Sequence, residues 1–260
     1  MLKALWSGAA GMTAQMALLD SLANDLANVN TPAYKKSEVN FADLAYRPVE
    51  ERGLPVNRQT PGQLPMVGSG ARVNEMAKIF TQGPLVETGN PWHLAIEGRG
   101  FLAVEMPDGG LAFTRDGSFH RDAGGSLVTA TGHKVVLPFS LPEEYAEVKI
   151  KPTGEVSVIH VDGTQEELGR LEIYLVPNPA GMEYLGDNLY RPTAASGEAT
   201  AGLPGEEGAG LLRQGFLEAA NVDLAETMTK MILAQRAYEI SSRAIRSADE
   251  MWSLANNLRR

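Results

Sequence analysis

Three patterns of apolar and polar positions divide the chain. From Phe216 to Arg260 there is no Gly and no Pro, and large apolar residues recur every seven positions: Leu217, Leu224, Met231, Tyr238, Ile245 and Trp252. Three residues after each stands a small one: Ala220, Thr227, Ala234, Ser241, Ala248 and Ala255. A seven-residue repeat lays one slowly drifting stripe along an α-helix, and small residues on it let a second helix come close. Asp223 is placed to cap this helix, with Glu226 three residues later in the spacing of a capping box. A helix from Leu224 to Leu258 is about 50 Å long at 1.5 Å per residue. It cannot bury its stripe against itself.

The first 31 residues carry the matching pattern. Leu5, Met12, Leu19 and Leu26 recur every seven positions, with Gly8, Ala9, Met16, Leu22, Ala23 and Val29 on the same face. Asn28-Val29-Asn30-Thr31-Pro32 ends it, because proline disfavours helix in the residue before it. Two readings stay open. The two helices form an antiparallel hairpin with an ordinary core, or a coiled coil that also mates with neighbouring copies.

The middle reads differently. Over residues 84–180, short runs rich in β-branched and apolar residues (Leu94-Ala95-Ile96, Phe101-Leu102-Ala103-Val104, Val148-Lys149-Ile150, Val156-Ser157-Val158-Ile159, Leu171-Glu172-Ile173-Tyr174-Leu175-Val176) alternate with turn signals such as Pro107-Asp108-Gly109-Gly110 and Asp162-Gly163. The expected fold is therefore α+β: long N- and C-terminal helices packed as a coiled coil, with an inserted all-β domain, barrel or sandwich. Between Pro48 and Gly70 stand four Pro and four Gly, a density that reads as an extended arm. Within it Leu54, Val56, Leu64, Met66 and Val67 are costly to leave in water. The expected segments are residues 1–34 for the first helix, 35–83 for the arm, 84–194 for the β domain, 195–215 for a Gly-rich return and 216–260 for the last helix.

Charge narrows the function. The net charge is −9; residues 1–31 carry −1 and residues 216–260 none, so −8 lies between. That argues against nucleic acid, which needs a clustered positive face. There is no cysteine, hence no disulfide, thiol nucleophile or thiolate metal ligand. Ser7, Gly8, Gly11, Thr13 and Gln15 interrupt any signal-peptide core, and no run of 18 apolar residues exists, so no membrane insertion is expected.

Candidate chemistry is thin. Gly98-Arg99-Gly100-Phe101-Leu102-Ala103 satisfies a loose dinucleotide pattern, but no helix follows it. His93, His120, His133 and His160 have no second histidine at helical spacing. Asp116 and Asp122 flank Ser118 and His120, which reads as polar residues around hairpin turns. Glu143, Glu144 and Glu147 read as a solvated acidic face. No enzyme activity and no cofactor are expected. The rival class is a wall-active β-domain enzyme on helical stalks.

The motifs taken together resemble a known family. Ala23-Asn24-Asp25-Leu26-Ala27-Asn28-Val29-Asn30-Thr31-Pro32-Ala33-Tyr34-Lys35 resembles the N-terminal signature of the bacterial flagellar rod and hook proteins. Asn221-Val222-Asp223-Leu224-Ala225-Glu226 and Met231-Ile232-Leu233-Ala234-Gln235-Arg236-Ala237-Tyr238-Glu239 resemble their C-terminal signature. Thr88-Gly89-Asn90-Pro91, Ile96-Glu97-Gly98-Arg99-Gly100-Phe101, Phe113-Thr114-Arg115-Asp116-Gly117-Ser118-Phe119, Gly186-Asp187-Asn188-Leu189-Tyr190 and Gly208-Ala209-Gly210-Leu211-Leu212-Arg213-Gln214-Gly215 match in the family's order. The distal rod type is the nearest pattern, with a proximal rod protein or paralogue as the alternative.

The resemblance implies a structural subunit that polymerises with itself into a tubular drive shaft. Its partners would be other rod proteins, the hook protein, the surrounding ring proteins and the flagellar type III export apparatus. It would lie in the basal body outside the cytoplasmic membrane, exported without a cleaved signal peptide. The candidate self-assembly residues are Leu5, Met12, Leu19, Leu26, Leu224, Met231, Ala234, Tyr238, Ser241, Ile245, Ala248 and Trp252. The resemblance further implies that the arm, through Leu54, Val56, Leu64, Met66 and Val67, packs between subunits.

Overall fold

Local signals set the start of one helix and the end of the other. In a computed structural model that describes residues 2–48, 66–142 and 144–257, α1 spans Leu2–Ala27 and α2 spans Leu224–Asn257. The Asp223 carboxylate accepts the Glu226 amide at 3.0 Å and its carbonyl accepts the Thr227 amide at 2.9 Å, so α2 starts where the capping pattern puts it. α1 stops four residues before Thr31, in a turn closed by the Thr31 amide on the Asn28 carbonyl at 3.0 Å.

The chain divides into two compact units. One holds residues 1–26, 37–77 and 223–260; the other holds residues 27–36 and 78–222. In the helix–ribbon unit, strand Ser37–Asp43 pairs with Ala71–Lys78, and Arg47–Pro48 pairs antiparallel with Met66–Val67. The Ser37 amide is held by the buried carboxylate of Asp25 on α1, at 3.1 Å. A side chain at position 70 would stand 3.1 Å from Ala10 Cβ, so the ribbon backbone lies directly on α1.

The β unit is built on strand Leu102–Glu105. Leu102 and Val104 face one core with Leu94, Ile96, Phe119, Val158 and Ile173; Phe101 and Ala103 face a second with Phe113, Val176 and Tyr190. An unbroken apolar run follows from burial on both faces, since successive side chains alternate. The largest sheet has four strands, in the order Glu183–Gly186, Leu189–Arg191, Leu111–Thr114, Leu102–Glu105. A three-stranded meander joins Glu147–Ile150, Glu155–Ile159 and Gln165–Arg170.

This corrects the expected fold class. The α+β plan of long terminal helices packed as a coiled coil, with an inserted all-β barrel or sandwich, is not what forms. Two helices accompany many short strands, which among the described residues make eight small sheets. The helices are no separate coiled-coil module, because ribbon strands belong to the same unit. Strands of two to eight residues, broken by Gly and Pro turns, are too short and too irregular in register to close one barrel. Strands also occur outside residues 84–194, at 37–43, 71–78 and 211–218. Leu217, the first member of the seven-residue repeat, lies in strand Phe216–Glu218, paired with Leu85–Glu87.

Candidate assembly surface

The seven-residue repeat on α2 reappears as burial. Thr227, Ala234 and Ala248 are its buried residues, and Ser241, the fourth member of that series, is half-buried. Among the candidate large residues, Met231, Tyr238 and Ile245 are half-buried, whereas Leu224 and Trp252 are exposed. On α1, Leu5, Met12, Leu19 and Leu26 are all half-buried. The structure brings part of the set together. A Cβ on Gly8 would stand 2.8 Å from Ile245 Cγ1, and one on Gly11 would stand 3.5 Å from Ser241 Oγ. At Gly8, α1 therefore approaches α2 too closely to carry a side chain unless Ile245 shifts.

A second apolar face went unnoticed in the sequence. Leu233, Ile240 and Leu254 lie at seven-residue intervals or their multiple, and are 61%, 65% and 64% exposed. With Met228, Ile232 and Met251, also exposed, they leave α2 apolar away from its seam. The signal was available in the spacing, but the stronger large–small repeat masks it. Of the arm residues, Met66 is exposed; Leu54, Val56 and Leu64 lie outside the described residues, as does the Val67 side chain.

The β unit carries a different feature, a buried clasp of charges. Lys35 Nζ lies 2.5 Å from Glu218 Oε1, and Arg115 Nη1 lies 3.1 Å from Glu218 Oε2. The Gly83 amide adds a bond to Oε1 at 2.8 Å. Lys35 also donates to the Thr81 carbonyl at 2.9 Å, and Arg115 to the carbonyls of Gly98 and Gly100. All three side chains are buried. Burial pulls the Lys35 ammonium below the ordinary lysine range, against the opposing pull of Glu218. Burial likewise pushes the Tyr190 phenol up.

Gly98 and Gly100, the loose dinucleotide pattern, have φ of 118° and 134°. A Cβ on Gly100 would stand 2.0 Å from Ile173 Cγ2. These glycines serve a tight turn whose carbonyls receive Arg115. Lys35, Arg115, Asn188 and Asn221 all lie inside the signature segments, yet their convergence is not readable from spacing. Glu218 was missed altogether. Its signal is a lone charge within Phe216-Leu217-Glu218-Ala219-Ala220.

The flagged polar residues close turns. Asp116 accepts the Ser118 amide at 2.9 Å, and Asp122 accepts the Ser126 amide at 2.8 Å. His93 and His120 come together, with ring centroids 6.4 Å apart. His93 is engaged at both nitrogens, by Thr88 Oγ1 at 2.7 Å and Asn90 Nδ2 at 3.2 Å. Burial, then His120, lowers its pKa. Among the described residues, no three His, Cys, Asp or Glu side chains gather as a metal site would require.

Comparison with known proteins settles the lineage. The family described as "Flagellar hook protein FlgE/F/G D1 domain" matches residues 95–158, and "Flagellar basal body rod FlgEFG protein C-terminal" matches residues 213–258. A flagellar basal-body rod protein FlgG of Borreliella burgdorferi is 46% identical over 265 aligned residues, all of both chains. The chain belongs to the flagellar FlgE/F/G family. Rod proteins FlgG of Buchnera aphidicola from Acyrthosiphon pisum and of Agrobacterium fabrum are 39% and 38% identical, covering 96% and 98% of this chain and 97% and 98% of their own. The two family matches fall on opposite sides of the clasp, which draws Arg115 from the first and Glu218 from the second.

Proposed function

We propose that this chain is a structural subunit of the flagellar basal-body rod, of the distal type. The observation that carries it is full-length identity of 46% to a rod protein FlgG. The described residues also include no helix long and apolar enough to cross a membrane.

In this reading the subunit works by polymerisation, not by catalysis. Its partners are further copies of itself, other rod proteins, the hook protein, the ring proteins and the type III export apparatus. It resides in the basal body outside the cytoplasmic membrane and is exported without a cleaved signal peptide. Apolar side chains on α1 and α2 that one chain leaves in water, among them Trp6, Met16, Leu224 and Trp252, support assembly through the terminal helices. Leu5, Met12, Leu19, Leu26, Met231, Ala234, Tyr238, Ser241, Ile245 and Ala248 set the packing of those helices. Leu54, Val56, Leu64, Met66 and Val67 of the arm dock between subunits. Electron microscopy of the purified chain at rising concentration tests the reading. Straight rods appearing above a threshold concentration support it; a chain that stays monomeric at every concentration and hydrolyses peptidoglycan overturns it.

A further inference from the structure

The chain passes between its two units four times, at residues 26/27, 36/37, 77/78 and 222/223. On the β-unit side, three of these passages share one node. The Asn221 side chain accepts the Lys36 amide at 2.7 Å and donates to the carbonyls of Ile79 at 2.7 Å and Thr81 at 3.1 Å. Its Nδ2 also meets Thr81 Oγ1 at 3.0 Å. The Ile79 amide returns to the Lys36 carbonyl at 2.9 Å, and the Asn221 amide reaches the Tyr34 carbonyl at 3.3 Å. Lys78 Nζ donates to the Lys35 carbonyl at 2.8 Å and sits 4.3 Å from the Tyr34 ring centre.

The node is continuous with the charge clasp. Lys35 precedes Lys36, the Glu218 carbonyl accepts the Ala33 amide at 2.7 Å, and Asn188 Nδ2 donates to the Pro32 carbonyl at 2.8 Å. Residues 32–36 thus have no regular structure of their own and are held by groups from residues 78–81, 188 and 216–221. Apart from the turn bond of the Tyr34 amide to the Thr31 carbonyl at 3.3 Å, these bonds come from distant parts of the chain, and such a segment docks completely or lets go, because each bond needs the others to position its partner.

We propose that Glu218 and Asn221 form a latch that docks residues 32–36, 78–83 and 216–221 as one cooperative piece, separable from the β core. The latch closes only when all three passages are in place, so a chain with one passage displaced loses the other two. Nothing in the rod reading requires this, and the latch stands or falls without it.

Native-state hydrogen exchange on the full-length monomer, comparing the parent with Asn221→Ala and Glu218→Gln, tests the proposal. The reporters are the amides of Ala33, Lys36, Ile79 and Gly83; the controls are Glu105, Val135 and Val136, which bond within the core. In Asn221→Ala only Lys36 loses its direct acceptor. The latch nevertheless requires all four reporters to exchange faster together, by about tenfold or more, with the controls unchanged. In Glu218→Gln the same four must respond. If either variant fails to fold, Thr81→Val removes one oxygen contact of Asn221 and must speed the same four amides by a smaller common factor. A response confined to Lys36 in Asn221→Ala, or spread equally to the controls, overturns the latch.

Discussion

The clasp and α2 are opposite solutions to the same constraint. At the clasp, charged side chains lie in the interior and each is answered by an opposite charge, a backbone carbonyl or an amide. Along α2, large apolar side chains stand in water, with Leu233, Ile240 and Leu254 each more than 60% exposed. A buried charge is tolerable only when its partners are supplied by the same molecule. An exposed apolar face is tolerable only when a partner from elsewhere covers it. The β unit answers its buried charges within one chain, whereas α2 of the helix–ribbon unit presents apolar side chains to solvent. Mutations should separate the two sharply.

The largest expected effect is at the clasp. Glu218→Ala leaves Lys35 and Arg115 buried without an anion and should cost about 3–5 kcal/mol, read as lost hydrogen-exchange protection of residues 32–36, 78–83 and 216–221. Replacing all three charges together, as Lys35→Met, Arg115→Met and Glu218→Leu, should recover most of that loss. If those segments in Glu218→Ala keep the protection they have in the parent, the clasp is not holding them on the β core.

Next is the seam. Ala234 is buried on α2, and Ala234→Leu overpacks it by about 1–3 kcal/mol. Hydrogen exchange should quicken in the helices and stay slow at Val104 and Val158, and rods should no longer form. Rods that assemble normally from this variant would show that Ala234 lies away from any packing helix.

Ile240→Ser should do less to the monomer and more to the polymer. The side chain is 65% exposed, so monomer stability should stay within about 0.5 kcal/mol. The threshold concentration for rods should rise. An unchanged threshold would remove this face from the assembly.

The smallest effect is electrostatic. His160 lies 2.9 Å from Glu166 on the meander, and that hydrogen bond raises its pKa above 6.5. The charged form is favoured in the folded state. Its contribution is therefore fully present below pH 6.5 and is lost as pH rises through the higher folded value. Glu166 is exposed and His160 partly so, so only a slight decline in melting temperature over that window is expected. Glu166→Gln should flatten it; a decline that persists in this variant assigns it to another group.

The helices of the helix–ribbon unit were partly legible because their signals are local. Asp223 caps the residues immediately after it, and Thr227, Ala234 and Ala248 are buried at the spacing their size suggested. The turn glycines were legible for the same reason. Side-chain type does not say what covers a stripe, which is why the coiled-coil expectation failed. The clasp was illegible because Lys35, Arg115 and Glu218 are separated by 80 and 103 positions, and no local pattern joins them.

Readable along the chain alone were the family, a helix near each end, the cap of α2, the turn-broken character of the middle and the absence of thiol chemistry. Each follows from neighbours a few residues apart, where spacing and side-chain chemistry act directly. The packed fold adds what no stretch foretells: strands gather into small sheets around two cores, ribbon strands share a unit with the helices, and Glu218 and Asn221 draw distant signature segments together. Those outcomes depend on which buried polar groups find partners across the fold. That satisfaction is a property of the whole packed chain and is written in no single stretch of it.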